Sequence, residues 1–60
     1  MAKFQIYKDN ASNYRWRLRA NNNEIVAISS ESYETKTGCK NSIQWVKTNA
    51  PDASTEDETE

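Results

Sequence analysis

The sequence predicts an α+β fold, a three-stranded antiparallel meander followed by one helix packed on one face of the sheet. Three observations carry this expectation. Residues 13–20 alternate apolar and basic side chains, residues 36–49 hold apolar side chains at helical spacing, and Pro51 closes that run.

The first strand is expected at residues 3–8, where Phe4 and Ile6 share a face. Asp9-Asn10-Ala11-Ser12 then reads as a turn, because Asp, Asn and Ser side chains bond nearby backbone groups. Residues 13–20 follow with Tyr14, Trp16, Leu18 and Ala20 on one side and Arg15, Arg17 and Arg19 on the other. Period two over this length means a strand with one buried and one wet face. Asn21-Asn22-Asn23 suits a tight turn, since Asn tolerates positive φ. Residues 24–30 form the third strand. There the unbroken run Ile25-Val26-Ala27-Ile28 predicts cover on both faces, at least in part.

The period then changes. Thr35 is the expected N-cap, without a capping-box Glu three residues on. Cys39, Ile43, Val46 and Ala50 stand at i, i+4, i+7 and i+11, one apolar stripe flanked by Lys36, Lys40 and Lys47. Pro51 is expected to push Ala50 out of the helical region, so the helix spans about 36–49 and lies on the Trp16 face.

Sixty residues make one domain. A chain this short buries only about 60% of its unfolded surface, so small folds add disulfides, a metal or oligomerisation. Cys39 is the only cysteine and there is no histidine, which leaves neither a disulfide nor a zinc ligand set. Oligomerisation is the remaining route, and a homodimer is the expected assembly. No apolar run approaches the roughly 20 residues of a membrane span, and no signal-peptide pattern opens the chain. With a free thiol, the expected compartment is the reducing cytoplasm. The charge is split. Residues 1–50 carry eight bases against four acids, and the last ten residues hold five acids (Asp52, Glu56, Asp57, Glu58 and Glu60), so a +4 body precedes a −5 tail. Residues 54–60 are too polar for a core of their own and read as an acidic tail.

Several separate blocks resemble the YegP-like family: Phe4-Gln5-Ile6-Tyr7-Lys8-Asp9, Tyr14-Arg15-Trp16-Arg17-Leu18, Glu24-Ile25, Glu31-Ser32-Tyr33, and Ile43 with Val46-Lys47-Thr48-Asn49-Ala50. The resemblance covers roughly residues 3–53, so residues 1–53 read as a single YegP-like module. It implies a β-β-β-α-β unit, present in tandem or as a single copy that dimerises by exchanging C-terminal strands into one shared sheet. It implies no biochemical activity. The chain departs from the family pattern at Asn23, where Gly is common, and at Trp45, where a small or polar residue is usual. Ser54-Thr55-Glu56-Asp57 also lacks the apolar residue of an exchanged strand.

Catalytic chemistry finds few carriers. Without histidine the common general base is missing, and the lone Gly38 makes no phosphate-cradling loop. Glu31 and Glu34 read as solvated carboxylates before a helix. Cys39 is the one candidate nucleophile. Its place near the helix start beside Lys36 and Lys40 would lower a thiol pKa, whereas its place on the apolar stripe makes it a small hydrophobe. Arg15, Arg17 and Arg19 form a candidate polyanion-binding face, with Lys3 and Tyr7 as neighbours. Against that stands a solvated face paired with acids on neighbouring strands or with a partner's acidic tail. Tyr14 and Trp16, the aromatics a stacking surface needs, point to the helix side. Trp45 lies about 120° round the helix from Cys39 and reads as rim packing or as a contact with another chain.

The functional expectation is a homodimeric, non-enzymatic accessory module with no cofactor and no metal, whose partners are itself and a further protein. The alternative is salt-sensitive single-stranded nucleic-acid binding through Arg15, Arg17 and Arg19. A redox role for Cys39 comes third.

Overall fold

The computed structural model describes residues 1–59, and Glu60, one of the five tail acids, lies outside them. Three strands, β1 (Lys3–Lys8), β2 (Tyr14–Arg19) and β3 (Ile25–Ile28), pair antiparallel in the order β1-β2-β3. One helix, α1 (Lys36–Asn49), follows, with the span read from the sequence. The order comes from two short turns. In the first, Asp9 Oδ1 accepts from the backbone N–H of Ala11 (2.9 Å) and Asn13 (3.0 Å), and Ser12 takes φ 64°. In the second, Asn23 takes the positive φ (71°), and Asn22 Oδ1 accepts from the Glu24 N–H at 3.1 Å.

The register puts Phe4 opposite Leu18 and Ile6 opposite Trp16, so these four side chains share the helix-covered face. Gln5 faces Arg17, Tyr7 faces Arg15 and Lys3 faces Arg19 on the other side. Between β2 and β3 the register shifts at Leu18/Arg19: Leu18 pairs Ala27, Arg19 pairs Ile25, and Val26 has no partner. This is a bulge, two residues opposed to one. Ala27 therefore joins the helix face, while Ile25 and Ile28 lie beside Arg19 and Arg17.

Thr35 caps α1 as the sequence predicts, in an extended conformation (φ −123°, ψ 150°), with Oγ1 accepting from the Gly38 N–H at 3.0 Å. Cys39 and Ile43 bury against Trp16, whose indole Nε1 donates to Ser42 Oγ at 2.8 Å. Phe4 meets the Trp16 ring edge-to-face at 5.2 Å. Phe4, Ile6, Tyr14, Leu18, Ala27, Tyr33 and Val46 complete the core as half-buried neighbours.

Two expectations are corrected. Ala50 stays helical (φ −61°, ψ −39°), its N–H reaching Val46 O, and Pro51 enters a 3-10 turn over Ala50–Asp52. Pro51 removes only its own N–H, and at the first turn of a tighter helix that donor is not needed. Ala50 is also exposed, so the buried part of the stripe ends at Val46. The third strand is not covered on both faces in the single chain: Ile25, Val26 and Ile28 are 50%, 59% and 64% exposed. The bulge turns these side chains away from the core, and no element among the described residues covers them. Ala53–Thr59 run beyond the 3-10 turn in neither helix nor strand, and all are exposed.

Candidate functional site

The alternation of β2 places Arg15, Arg17 and Arg19 together on the face away from α1, as expected. Their partners are mostly neutral. Arg15 Nε pairs with Asp9 Oδ2 at 3.0 Å, the sole ion pair among the described residues. Arg17 Nε (2.9 Å) and Arg19 Nε (2.7 Å) both donate to Gln5 Oε1, and Arg19 Nη1 donates to the Asn23 carbonyl at 2.7 Å. The Arg17 guanidinium lies over the Tyr7 ring, 4.7 Å from its centroid. Each guanidinium thus uses one or two of its five donors, and the rest face solvent. Tyr7 supplies this face with one aromatic ring, although Tyr14 and Trp16 stand on the other side.

Asp9 is the residue that sequence reasoning undervalued. The sequence marks it as turn chemistry alone, yet its carboxylate also accepts from Arg15 and the Ser32 hydroxyl (2.6 Å), fastening the β1–β2 turn to the segment before the helix. Tyr14 and Tyr33 form an antiparallel bridge next to it. The Ser32 hydrogen bond first, then Arg15 and the Asn13 N–H, hold the Asp9 carboxyl well below the usual carboxylate range. A depressed folded-state pKa contributes stability above the unfolded value of about 3.9 and loses it as the pH falls through the folded one. Melting temperature should therefore drop steeply from about pH 5 downward in the wild type. Asp9→Asn should melt lower at neutral pH and lose less on acidification. Parallel pH profiles for the two proteins would contradict this role.

Burial pushes the Cys39 thiol pKa up, the opposite of the lowering expected from Lys36, Lys40 and the helix start. The residue is 0% exposed, and desolvation disfavours the charged thiolate. Cys39 is built as core.

Trp45 lies off the core stripe and is 67% exposed. It borders an open groove of about 500 Å³, walled by Trp16, Tyr33, Trp45 and Val46 over Gly38. A Cβ at Gly38 would stand 3.1 Å from the Thr35 cap hydroxyl, a tight contact at the base of the groove. Ser30 lines the same groove, so it adjoins the end of β3.

The chain matches known sequences over most of its length. A family model described as a domain of unknown function, DUF1508, matches residues 9–57. A UPF0339 protein of Treponema denticola is 51% identical over 51 residues, 85% of this chain and 86% of that protein. One from Methanosarcina acetivorans is 49% identical over 53 residues, 88% and 90% of the two chains. The NMR solution structure of a protein from Haloferax volcanii superposes with a TM-score of 0.86 at 45% identity, covering 93% of both. That of protein ATU0232 from Agrobacterium tumefaciens gives 0.78 at 39%, covering 98% of this chain and 94% of that one. These solved structures have the same three-stranded sheet with one helix.

Proposed function

This chain belongs to the DUF1508 family, the same family as the UPF0339 and YegP-like proteins, and on that premise we propose that it acts as a homodimeric, non-enzymatic interaction module. The observation that carries the reading is the uncovered side of β3. Ile25, Val26 and Ile28 leave half or more of their surface in water, while among the described residues only Trp16, Cys39 and Ile43 are buried hydrophobic residues. Burying an aliphatic side chain of this size is worth about 1.5–3 kcal/mol, so a surface that covers all three recovers a large share of a small domain's stability. Exposed Trp45 on the adjoining groove is the kind of residue that anchors interfaces.

A second copy is the natural cover. β1 and β3 are both edge strands with unpaired backbone groups, and edges of this kind pair with another chain. Ala53–Thr59, exposed and in neither helix nor strand, supply the segment that crosses to the partner as the exchanged C-terminus. The dimer is a cytoplasmic accessory that presents its remaining surface to a further protein.

A melting temperature that rises with protein concentration is the expected signature, because association stabilises the folded state by mass action. A melt independent of concentration would count against the dimer.

A second reading has one observation in its favour. Tyr7 and the spare donors of Arg15, Arg17 and Arg19 share a face, which suits backbone phosphates and a stacked base of a single strand. It requires oligonucleotide binding that weakens steeply with salt and is lost when the three arginines become Gln.

A further inference from the structure

The groove beside Trp45 has a chemistry unlike the rest of the surface. Gly38, Asn41, Ser42 and Trp45 stand at i, i+3, i+4 and i+7, so one face of α1 forms its long wall. Tyr33 stands across from that wall, its Cδ1 3.9 Å from where a Cβ on Gly38 would be. None of the lining residues carries a charge, although 28% of the chain is Asp, Glu, Lys or Arg. An ionic ligand finds no counter-charge here, so the occupant is uncharged where it touches the groove.

The polar groups narrow the choice. Trp16 Nε1 donates to Ser42 Oγ, which donates in turn to the Cys39 carbonyl at 2.8 Å, so both are engaged. The indole N–H of Trp45 and the carboxamide of Asn41 have no partner among the described residues, and both residues are exposed. The groove therefore combines aromatic walls with free donors. A strand cannot add at Tyr33, whose N–H (2.8 Å) and carbonyl (2.7 Å) both bond Tyr14. A helical ligand has its carbonyls bonded within itself, and would bury the two donors without acceptors.

A proline-rich segment meets both conditions. Proline lacks the backbone N–H, and the polyproline II helix has no internal hydrogen bonds, so its carbonyls stay free to accept. Its rings pack on aromatic walls, and the chain is extended before it binds. One turn of three residues is about 9 Å long, against about 10 Å along α1 from Gly38 to Trp45.

We propose that this groove docks a proline-rich segment of another protein, with its rings between Tyr33 and Trp45 and its carbonyls on Trp45 Nε1 and Asn41 Nδ2. The segment identifies the further partner of the interaction-module reading and rests on that reading, but it needs no homodimer.

The test titrates isotope-labelled full-length protein with decaproline to millimolar concentration, followed by NMR. A glycine–serine peptide of the same length, flexible and rich in donors, is the control. Decaproline should shift the Trp45 indole, the Asn41 side-chain amide and the Gly38 amide together, with one Kd, and the control should shift none of them. Trp45→Ala should weaken binding by roughly tenfold or more, as loss of a tryptophan anchor does. Asn41→Ala should weaken it by about three- to tenfold, the worth of one hydrogen bond. Gln44→Ala, exposed on the same helix outside the groove, should leave it unchanged. With no charge taking part, the Kd should vary little between about 0.01 M and about 1 M ionic strength. The absence of shifts at millimolar decaproline overturns the inference, as do shifts confined to Tyr7 and the arginines, a Kd that ignores Trp45→Ala, or equal binding of the control. Tighter binding of a leucine–lysine helical peptide at the same signals also overturns it. Molar mass read in the same samples keeps the homodimer separate. A monomer that binds decaproline removes the homodimer alone, and a dimer with a silent groove removes this inference alone.

Discussion

Trp16→Ala should cost about 3–5 kcal/mol and leave the chain largely unfolded at room temperature, as large-to-small changes in a core commonly do. Trp16 sits at the centre of the core between sheet and helix. It packs Phe4 edge-to-face, covers Cys39 and Ile43, and donates its indole N–H to Ser42. Truncation opens a cavity, leaves the Ser42 hydroxyl with one partner fewer, and uncouples the helix from the sheet. A domain of this size has about 3–9 kcal/mol of stability in all. Arg17→Ala is the matched control, one residue along the same strand on the opposite face. It loses a hydrogen bond to Gln5 and a contact with Tyr7, and should cost under about 1 kcal/mol in a urea or thermal melt. If Arg17→Ala unfolded the protein while Trp16→Ala melted normally, the two faces would have been assigned the wrong way round.

The second large effect concerns association. Ile25→Lys combined with Ile28→Lys should turn the dimer into a folded monomer at micromolar concentration. Already partly buried in the single chain, each isoleucine offers about 1–2 kcal/mol of further burial to a partner, so losing both weakens the dimer by roughly tenfold to a few hundredfold. The new ammonium groups would also stand opposite Arg19 and Arg17, adding repulsion on that face. The monomer itself should keep its helix, because Ala27 is the β3 residue that packs into the core. Sedimentation velocity reads the change directly. An unaltered dimer would mean that β3 lies outside the interface.

Much of the fold was legible because local signals agreed with one another. Strict alternation over Tyr14–Arg19 admits one reading, and the apolar stripe after Thr35 placed the helix near 36–49, where α1 lies, although Pro51 does not push Ala50 out of the helical region. Asn23 took the positive φ for which asparagine suits a turn. The third strand misled for a physical reason. Four consecutive apolar residues mark surface that avoids water, but they do not say whether this chain or another covers it. The bulge at Val26 compounds this, since a register shift is set by the pairing of two strands and not by either alone. The arginine face was legible as a position and illegible as a network. Gln5 becomes the shared acceptor of Arg17 and Arg19 only once β1 is in register with β2. Asp9 likewise reads as a turn former until folding brings Ser32, twenty-three residues away, to its carboxylate. Cys39 carried two opposing signals, a helix start rich in lysine and an apolar stripe, and complete burial decided between them.

The most direct measurement is the molar mass of the full-length protein in solution, by light scattering over a dilution series through micromolar concentration. A mass near twice the 6.9 kDa of one chain is expected, falling toward that of a single chain only at high dilution. A mass of one chain throughout, together with a cooperative melt, would show that β3 is left in water by a self-sufficient monomer, and would contradict the dimer.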